Sequence, residues 1–453
     1  MGALAAPRAS TSWPRPQMAS AFPRASAGPL LLAVAVPLIF LHVHYQPDLG
    51  FSAGGTTVDV TLSDLAVLAV ALAGLAVAVS TGLAPLRRGL PVWLTGATLL
   101  VVVLVSLSYP GLRGEAYDWH ARLVSALKFC EYAALALAAP LLVRRSRDLR
   151  VVAAALVVWS TVATTIGLLQ YVGLVDQMLG HRPAEREPSL LGYHDFAALS
   201  GGVLVLGLAA LLLHEDRSGE RPWVVLALVS GGVGLVVSGA MTGVIGMWLA
   251  LVMLALAARR RGKLIRRALT ISAAAAILVT LGTAGIRGAA LRDFAAFLGL
   301  HRNVTPGAVE SYAQRTVLGY IGLKIFVTQP VTGVGFHGSS DEWAYGPQLA
   351  AAHRRFPGQP LDAFPSPKHP WGVQNLYIET LADLGVIGFA ALAALFAAAI
   401  AVGWRGGAGS SVPLVGLAWI LVAAGVWIGI GIVPGIPLAA LTWLGFGLAT
   451  VHE

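Results

Sequence analysis

About twelve apolar runs divide the chain, and each is long enough to cross a bilayer as a helix. A spanning helix needs roughly 20 apolar residues because its backbone polar groups must be satisfied within the segment. Hydrophobic residues make up 57% of the chain and charged residues 12%, with a mean hydropathy of +0.75. The sequence therefore predicts an all-α, polytopic membrane helix bundle rather than a soluble domain. The runs lie near residues 29–44, 62–84, 90–108, 121–143, 151–173, 191–213, 222–238, 242–258, 268–286, 376–403, 412–433 and 435–451.

The charges between the runs predict how the helices are oriented. Arg and Lys gather in alternate links, which the positive-inside rule places in the cytoplasm. We therefore expect a multi-pass protein of the cytoplasmic membrane, with both termini inside and residues 287–375 outside. The net charge of +9 lies mainly in these links, so anionic membrane lipids, rather than nucleic acid, are the expected partners. The basic links contain Arg87 and Arg88, then Arg144, Arg145, Arg147 and Arg150, then Arg217 and Arg221, and finally Arg259, Arg260, Arg261, Lys263, Arg266 and Arg267.

This topology divides the chain into four segments. Residues 1–28 are rich in Pro, Arg, Ser and Ala and are predicted to be a disordered cytoplasmic tail. Residues 29–286 form the first part of the bundle, residues 287–375 a large and partly helical extracytoplasmic loop, and residues 376–453 the C-terminal transmembrane helices. A connection as long as the loop is expected to be functional.

Two features of the loop region stand out. Residues 309–328 read as a helix that carries Arg315 and Lys324, and Pro330 ends it before a turn at residues 332–335. The loop then runs into the apolar stretch through Gln374 and Asn375.

The helix predicted from Asn375 onward places Glu379 and Asp383 on the same face, at i+4 and i+8. Ionisable residues at that depth are expensive and are candidates for function. Gly385 and Gly388 would let another helix approach closely.

These residues resemble a known signature. Gln374-Asn375, nine residues, Gly385, two residues and Gly388 resemble the His-Asn-x9-Gly-x-x-Gly pattern of the O-antigen ligase and O-antigen polymerase superfamily, with Gln374 in place of the histidine. The Arg-containing helix followed by Pro-x-Thr-Gly-x-Gly is similar to that family at a second place. The resemblance implies a glycosyltransferase that moves a glycan from an undecaprenyl-(pyro)phosphate-linked donor to an acceptor sugar or lipid at the outer face of the membrane.

The resemblance also implies a cationic site for the leaving pyrophosphate. Arg315 matches the family's loop arginine, and Arg186 is the second candidate; a guanidinium suits this task because its fork binds phosphate oxygens in pairs. The alternative for Arg315 is an arginine resting at the lipid head groups. The family often has Ser-Arg where this chain has Ser238 to Thr242, so a further cationic contact is expected to be missing. An arginine-held leaving group needs no metal, and we expect neither a metal nor a cofactor.

The base that accepts the acceptor's proton is not fixed by the sequence. The family histidine is replaced by Gln374, which does not titrate, so the base is expected among His194, Asp195, Glu379 and His369. The alternative for His194 is a structural role at a helix start.

The remaining candidates are substrate-binding residues. Gln374 and Asn375 are expected to orient sugar hydroxyls, and Tyr377, Lys324, His369 and Lys128 to contact substrate. Lys128 and Glu131 are i, i+3 neighbours on one helix and favour a structural pair. Lys128, Arg315 and Lys324 are also candidate partners for Glu379 and Asp383, which have no cation on their own helix.

The sequence leaves the choice between ligase and polymerase open, together with two alternatives to both. A ligase and a polymerase would place the same demands on the site. A transporter or flippase would also use polar residues in a membrane, although its charges gather at the midplane in broken helices. A catalytically inactive relative is the second alternative, given the departures from the family pattern.

Overall fold

The computed structural model describes residues 27–47, 49–53, 56–178, 184–213, 221–262, 265–300 and 311–452. Helices make up 77% of the described residues, which confirms an all-α polytopic bundle. The tail predicted at residues 1–28 lies outside the described residues except for its last two. The helices are α1 Ala27–Ile39, α2 Leu62–Thr81, α3 Leu90–Ser106, α4 Tyr109–Leu112, α5 Trp119–Leu142, α6 Ser146–Tyr171, α7 Tyr193–Leu213, α8 Arg221–Ser238, α9 Met241–Arg260, α10 Arg266–Ile286, α11 Gly288–Phe297, α12 Ser311–Thr328, α13 Glu342–Arg355, α14 Leu376–Gly406, α15 Val412–Val426 and α16 Pro437–Leu448.

Each of the twelve predicted runs contains a helix, but two of these helices are short. Among the described residues, ten helices are long and apolar enough to cross a membrane, whereas α1 and α16 are not. The 12 residues of α16 extend only about 18 Å at 1.5 Å per residue. The prediction placed spans at 412–433 and 435–451, but α15 ends at Val426 and Pro437 occupies the first turn of α16. The intervening residues are mostly non-helical and reach the candidate site described below.

Small residues allow the central helices to pack closely. In the apolar stretch of α7, and in that of α15 with the turn that follows it, 83% of the residues are buried. In the peripheral α10 the value is 22%. A Cβ built on Gly425 of α15 would lie 2.5 Å from the Cα of Gly246 in α9. Close approach of this kind gives van der Waals contact along the helices, which is the main attraction between helices in lipid.

The basic links meet at one end of the bundle, which we call the basic end. Arg144 donates to Oγ1 of Thr81 over 2.7 Å, and Nε of Arg261 donates to the carbonyl of Gly407 over 2.8 Å. Arg217 and Lys263 lie outside the described residues. The opposite end, the loop end, carries residues 287–375. This alternation is the one that the positive-inside argument requires, while the side of the membrane stays a prediction.

The loop end contains structure that the sequence did not predict. The link between α1 and α2 includes an antiparallel hairpin of β1 Leu49–Ala53 and β2 Thr56–Val60. In the large loop, α12 begins at Ser311, and α11 and α13 are additional helices. A second apolar core fixes α12 and α13 to each other; its members include Val317, Ile321, Tyr345, Phe364 and Ala382.

The two ends offer a matched test of orientation. Gly358 lies at the loop end and Gly409 at the basic end; both are exposed, and a Cβ at either meets no atom within 4 Å. With Cys130 replaced by alanine, we expect a membrane-impermeant maleimide to label Gly358→Cys in intact cells. Gly409→Cys should react only after lysis. Labelling in the reverse order would show that the predicted orientation is wrong.

Candidate functional site

The site is built around a break in α14. Gly385 has φ 63° and ψ −163°, a conformation that only glycine adopts readily. The break frees two N–H groups and two carbonyls, and residues 330–335 take all four. Val386 and Ile387 donate to the carbonyls of Pro330 and Val331, while the carbonyls of Ala382 and Asp383 accept from Val334 over 3.0 Å and Gly335 over 2.8 Å.

Glycine is required where the two backbones cross. A Cβ on Gly385 would collide with the backbone of Val331, and one on Gly333 with the backbone of Asp383. Gly333 and Gly335 also have positive φ, 67° and 99°. The prediction that Gly385 serves helix packing is therefore wrong, because it admits a loop strand rather than a helix.

The two carboxylates of α14 hold the same loop. Oδ2 and Oδ1 of Asp383 accept from the backbone N–H groups of His337 and Ser339, each over 2.9 Å. Nδ1 of His337 lies 3.0 Å from Oε1 of Glu379, and the N–H of Ile432 donates to Oε2 of Glu379. These contacts support His337 in a left-handed conformation, φ 59°. We call His337, Glu379 and Asp383 the loop anchor.

The partners expected for these carboxylates were wrong. Lys128 forms its ion pair with Asp64 of α2, over 2.9 Å. No ion pair among the described residues joins Lys128 to Glu131 or to the loop anchor. Lys324 lies with its ammonium 5.6 Å from the ring centre of Tyr320. Arg315 contacts other residues, described below.

Helix α5 holds the loop from the other side. Arg122 forms an ion pair with Asp341 over 2.9 Å, and the hydroxyl of Tyr117 donates to the carbonyl of Phe336 over 2.6 Å. Burial is the main cause that raises the pKa of Asp341, and the charge of Arg122 opposes it. The loop segment 330–341 is therefore fixed from both α14 and α5.

A cation could reach the loop anchor by geometry alone. One ligand atom of each of its three residues lies within 4.8 Å of the others. Burial lowers the pKa of His337 to about 4, so the ring is neutral at ordinary pH and offers a lone pair. Both oxygens of Asp383 already accept backbone hydrogen bonds, however, and these bonds account for the cluster as a loop fastening.

A second cluster lies nearby and contains the residues that the sequence singled out for chemistry. Nε of Arg315 donates to Oε1 of Gln374 over 3.0 Å, and Nη2 of Arg315 lies 3.2 Å from Nε2 of His194. Arginine is always protonated and only donates, so Nε2 of His194 must be the acceptor. His194 is therefore neutral with its proton on Nδ1, an atom that is buried and lacks a hydrogen-bond partner among the described residues.

Arg186 lies beside this cluster. So does Arg287, an arginine that the sequence did not indicate. The charges of Arg315, Arg186 and Arg287 all act on the ring of His194. Burial, followed by the charge of Arg287, lowers the pKa of Arg186. We call Arg186, His194, Arg287, Arg315 and Gln374 the arginine site. Arg287 is the first charged residue after the run at 268–286, and nothing in the sequence places it near Arg186.

The other predicted site residues have structural contacts. Asp195 accepts from the N–H of Leu438 over 2.8 Å and so caps α16. Asn375 caps α14 by accepting from Tyr377 and Ile378, each over 3.1 Å, and donates to the carbonyl of Ile428. The hydroxyl of Tyr377 donates to the carbonyl of Ala424. Together Asn375 and Tyr377 hold the segment after α15 against the start of α14.

His369 and Lys324 also fall outside both clusters, and one carboxyl group was overlooked. His369 is exposed and stacks on Trp371, and Lys324 was placed above. Glu187 is buried, and neither of its carboxyl oxygens has a hydrogen-bond partner in the described part of the chain. Burial and the nearby Glu185 raise the pKa of Glu187 to about 7. Its position in a short polar link gave no signal of burial.

No protein-family model matches this sequence, and no curated protein matches it. The case for a function therefore rests on the residues of the arginine site and on the motifs in the sequence.

Replacing Gly385 tests whether the broken helix supports the site. Gly385→Ala should lower the midpoint of thermal unfolding in detergent, because this φ/ψ region is almost exclusive to glycine and costs other residues about 1–3 kcal/mol, and because its Cβ meets the Val331 backbone. Gly96→Ala is the matched control, since Gly96 lies within α3 and its nearest contact would be 3.8 Å away. Equal midpoints for the Gly385→Ala variant and the parent protein would contradict the role assigned to the break.

Proposed function

We propose that this protein is a membrane glycosyltransferase of the O-antigen ligase and polymerase type. It would transfer a glycan from an undecaprenyl-(pyro)phosphate-linked donor to an acceptor sugar or lipid, at the outer face of the cytoplasmic membrane. The observation that carries the proposal is the contact of Arg315 with both His194 and Gln374. It joins a permanent cation and a neutral imidazole at the loop end of an apolar bundle.

The reaction needs a cation where negative charge develops. The acceptor hydroxyl attacks the anomeric carbon of the donor glycan, and the bond from that carbon to the diphosphate oxygen breaks. The diphosphate leaves with the bonding electrons and stays on the polyprenyl chain. Arg315 and Arg186 would stabilise this charge, because guanidinium groups bind phosphate oxygens through two parallel donors.

The reaction also needs a group that takes the hydroxyl proton. His194 is neutral in the site and carries a lone pair on Nε2, which Arg315 covers. A diphosphate that draws the Arg315 guanidinium toward itself would uncover this lone pair. Among the candidate bases, His194 fits best because Asp195 and Glu379 already accept backbone hydrogen bonds, and His369 is exposed.

An apolar pocket lies between α3, α5, α14 and α16. Its cavity volume is about 30 Å³, which is too small to hold a polyprenyl chain in this conformation. Its lining includes Leu376, the residue that follows Asn375, and Ile432, which donates to Glu379. The pocket therefore begins beside the loop anchor and continues into the bundle, where Phe396 and Phe446 also line it. Only the apolar character of this lining supports a lipid-linked donor.

The broken helix favours transport as a second candidate function. Transporters use broken helices whose freed backbone groups coordinate the substrate or ion. In α14, the freed groups are already paired with residues 330–335. The break therefore fastens a loop and leaves no open backbone cradle, which supports surface chemistry over transport.

Removing the Arg315 cation should abolish glycan transfer. We expect Arg315→Ala to lower transfer by about 10²–10³-fold, the scale of losing one charge-stabilising donor. Arg315→Lys should recover only part of the loss, because a point charge replaces a fork. Polymer length and lipid-carrier attachment in cells of a deletion strain carrying each variant would measure this. Arg292→Ala is the control, since Arg292 is exposed on α11 and bonds the backbone of its own helix. Full transfer by Arg315→Ala would remove Arg315 from the mechanism.

Removing the imidazole should reduce turnover without reducing donor binding. We expect His194→Ala to lower kcat by about 10²–10⁴-fold, the usual contribution of general base catalysis, with little change in donor affinity. His120→Ala is the matched control, because His120 is exposed at the start of α5. If Glu379→Gln or Asp195→Asn lost turnover at unchanged stability while His194→Ala did not, a carboxylate would be the base.

A further inference from the structure

Two arginines from distant parts of the chain meet at one turn. Gly239 lies between α8 and α9 with φ 61°. A Cβ built on it would lie 2.7 Å from Cβ of Arg186 and 3.2 Å from Cδ of Arg287. The turn itself, residues 238–240, carries no charge. Both side chains therefore pass against the same uncharged turn.

Each of these guanidinium groups lies over a tyrosine ring. The guanidinium carbon of Arg186 is 4.1 Å from the ring centre of Tyr193, and that of Arg287 is 5.0 Å from the ring centre of Tyr312. Nε of Arg287 also donates to the hydroxyl of Tyr312 over 3.4 Å. Stacking on a ring holds a guanidinium in place while most of its donors still point outward in the plane.

The arrangement brings like charges together. Within the described part of the chain, neither Arg186 nor Arg287 forms an ion pair. Burial and then the charge of Arg287 disfavour the charged form of Arg186, while the charge of Glu185 favours it, and Arg315 acts on the same histidine as both arginines. Two half-buried cations that lie over tyrosine rings, neither of them in an ion pair of the described residues, are a favourable receptor for an anion with several oxygens.

Arg287 also has a structural alternative. It follows the last residue of α10, where a positive charge is favoured by the helix dipole. That role requires a charge near the helix end, which lysine would also provide. It requires neither a stack on Tyr312 nor contact with the turn that Arg186 touches.

We propose that Arg287 is a phosphate-binding residue, which with Arg186 clasps a diphosphate across the turn at Gly239. This inference deepens the proposed function, on which it rests for the identification of the diphosphate as that of the lipid-linked donor. Arg287 then supplies the cation that the uncharged segment 238–242 lacks. Tyr312 and Arg315 are i and i+3 on α12, so one turn of this helix positions two of the cations.

Direct binding tests the proposal without relying on turnover. The full-length protein in nanodiscs would be titrated with a polyprenyl diphosphate, with the matching polyprenol and with inorganic pyrophosphate. We expect the polyprenyl diphosphate to bind and the polyprenol to bind much more weakly. Arg287→Ala should weaken diphosphate binding about ten- to hundredfold, the value of one charge-assisted hydrogen-bonding group. Arg287→Lys should fall between the two, and Arg292→Ala should match the parent protein.

The comparison of variants separates phosphate binding from structure. If Arg287→Ala and the parent bound the diphosphate equally at equal unfolding temperatures, the inference would be overturned while the glycosyltransferase proposal stood. Loss of binding in Arg287→Ala with full recovery in Arg287→Lys would assign the residue to the helix end and also overturn it. If pyrophosphate alone bound with the same Arg287 dependence, the anion site would be supported. Normal glycan in a deletion strain would then refute the transfer reaction alone.

Discussion

The site depends on the break in α14 at Gly385. A helix in lipid must satisfy its own backbone, because no water is available to do so. Here the freed groups of residues 382–387 are satisfied by residues 330–335. The loop backbone therefore replaces the helical hydrogen bonds that the break removes. Without this exchange, the 330–341 segment would lose its backbone bonds to α14. Helix α12, which carries Arg315, packs in the second apolar core together with Val334 of this segment and Ala382 of α14.

The loop anchor and the arginine site contain polar groups of different kinds. The carboxylates of Glu379 and Asp383 accept from His337, Ser339 and Ile432, so their charges and lone pairs are committed to holding backbone in place. The arginine site has the opposite composition: cations, an amide and a neutral imidazole. Glu379 and Asp383 therefore serve to hold the loop. The cost of placing a carboxylate in lipid marks them as candidates for chemistry, but their hydrogen bonds assign them a structural task.

The sequence was sufficient for some features and insufficient for others, and the reason is visible in particular residues. Apolar runs predicted the helices because a lipid-facing segment must be apolar throughout. The end of α15 was missed because residues 427–436 are as apolar as a span. Gly435 has a positive φ and Pro437 begins α16, so the helical backbone is interrupted between α15 and α16. The motif positions Arg315, Gln374 and His194 were identified and do meet. The contacts of Arg287 and His337 could not be predicted, because their partners lie far away in the sequence and no local pattern links them.

The contact between Arg315 and His194 links the cation to the proposed base. A guanidinium that donates to Nε2 of His194 holds the imidazole neutral and covers the lone pair that a base requires. Gln374 holds the same guanidinium through Nε, so the residue at the place of the family histidine acts on Arg315 rather than on a proton. A phosphate competes for Arg315 better than a neutral imidazole does, because it adds an opposite charge and accepts two parallel hydrogen bonds from the guanidinium fork. We infer that arrival of the donor exposes the base, which would couple proton transfer to occupancy of the phosphate site.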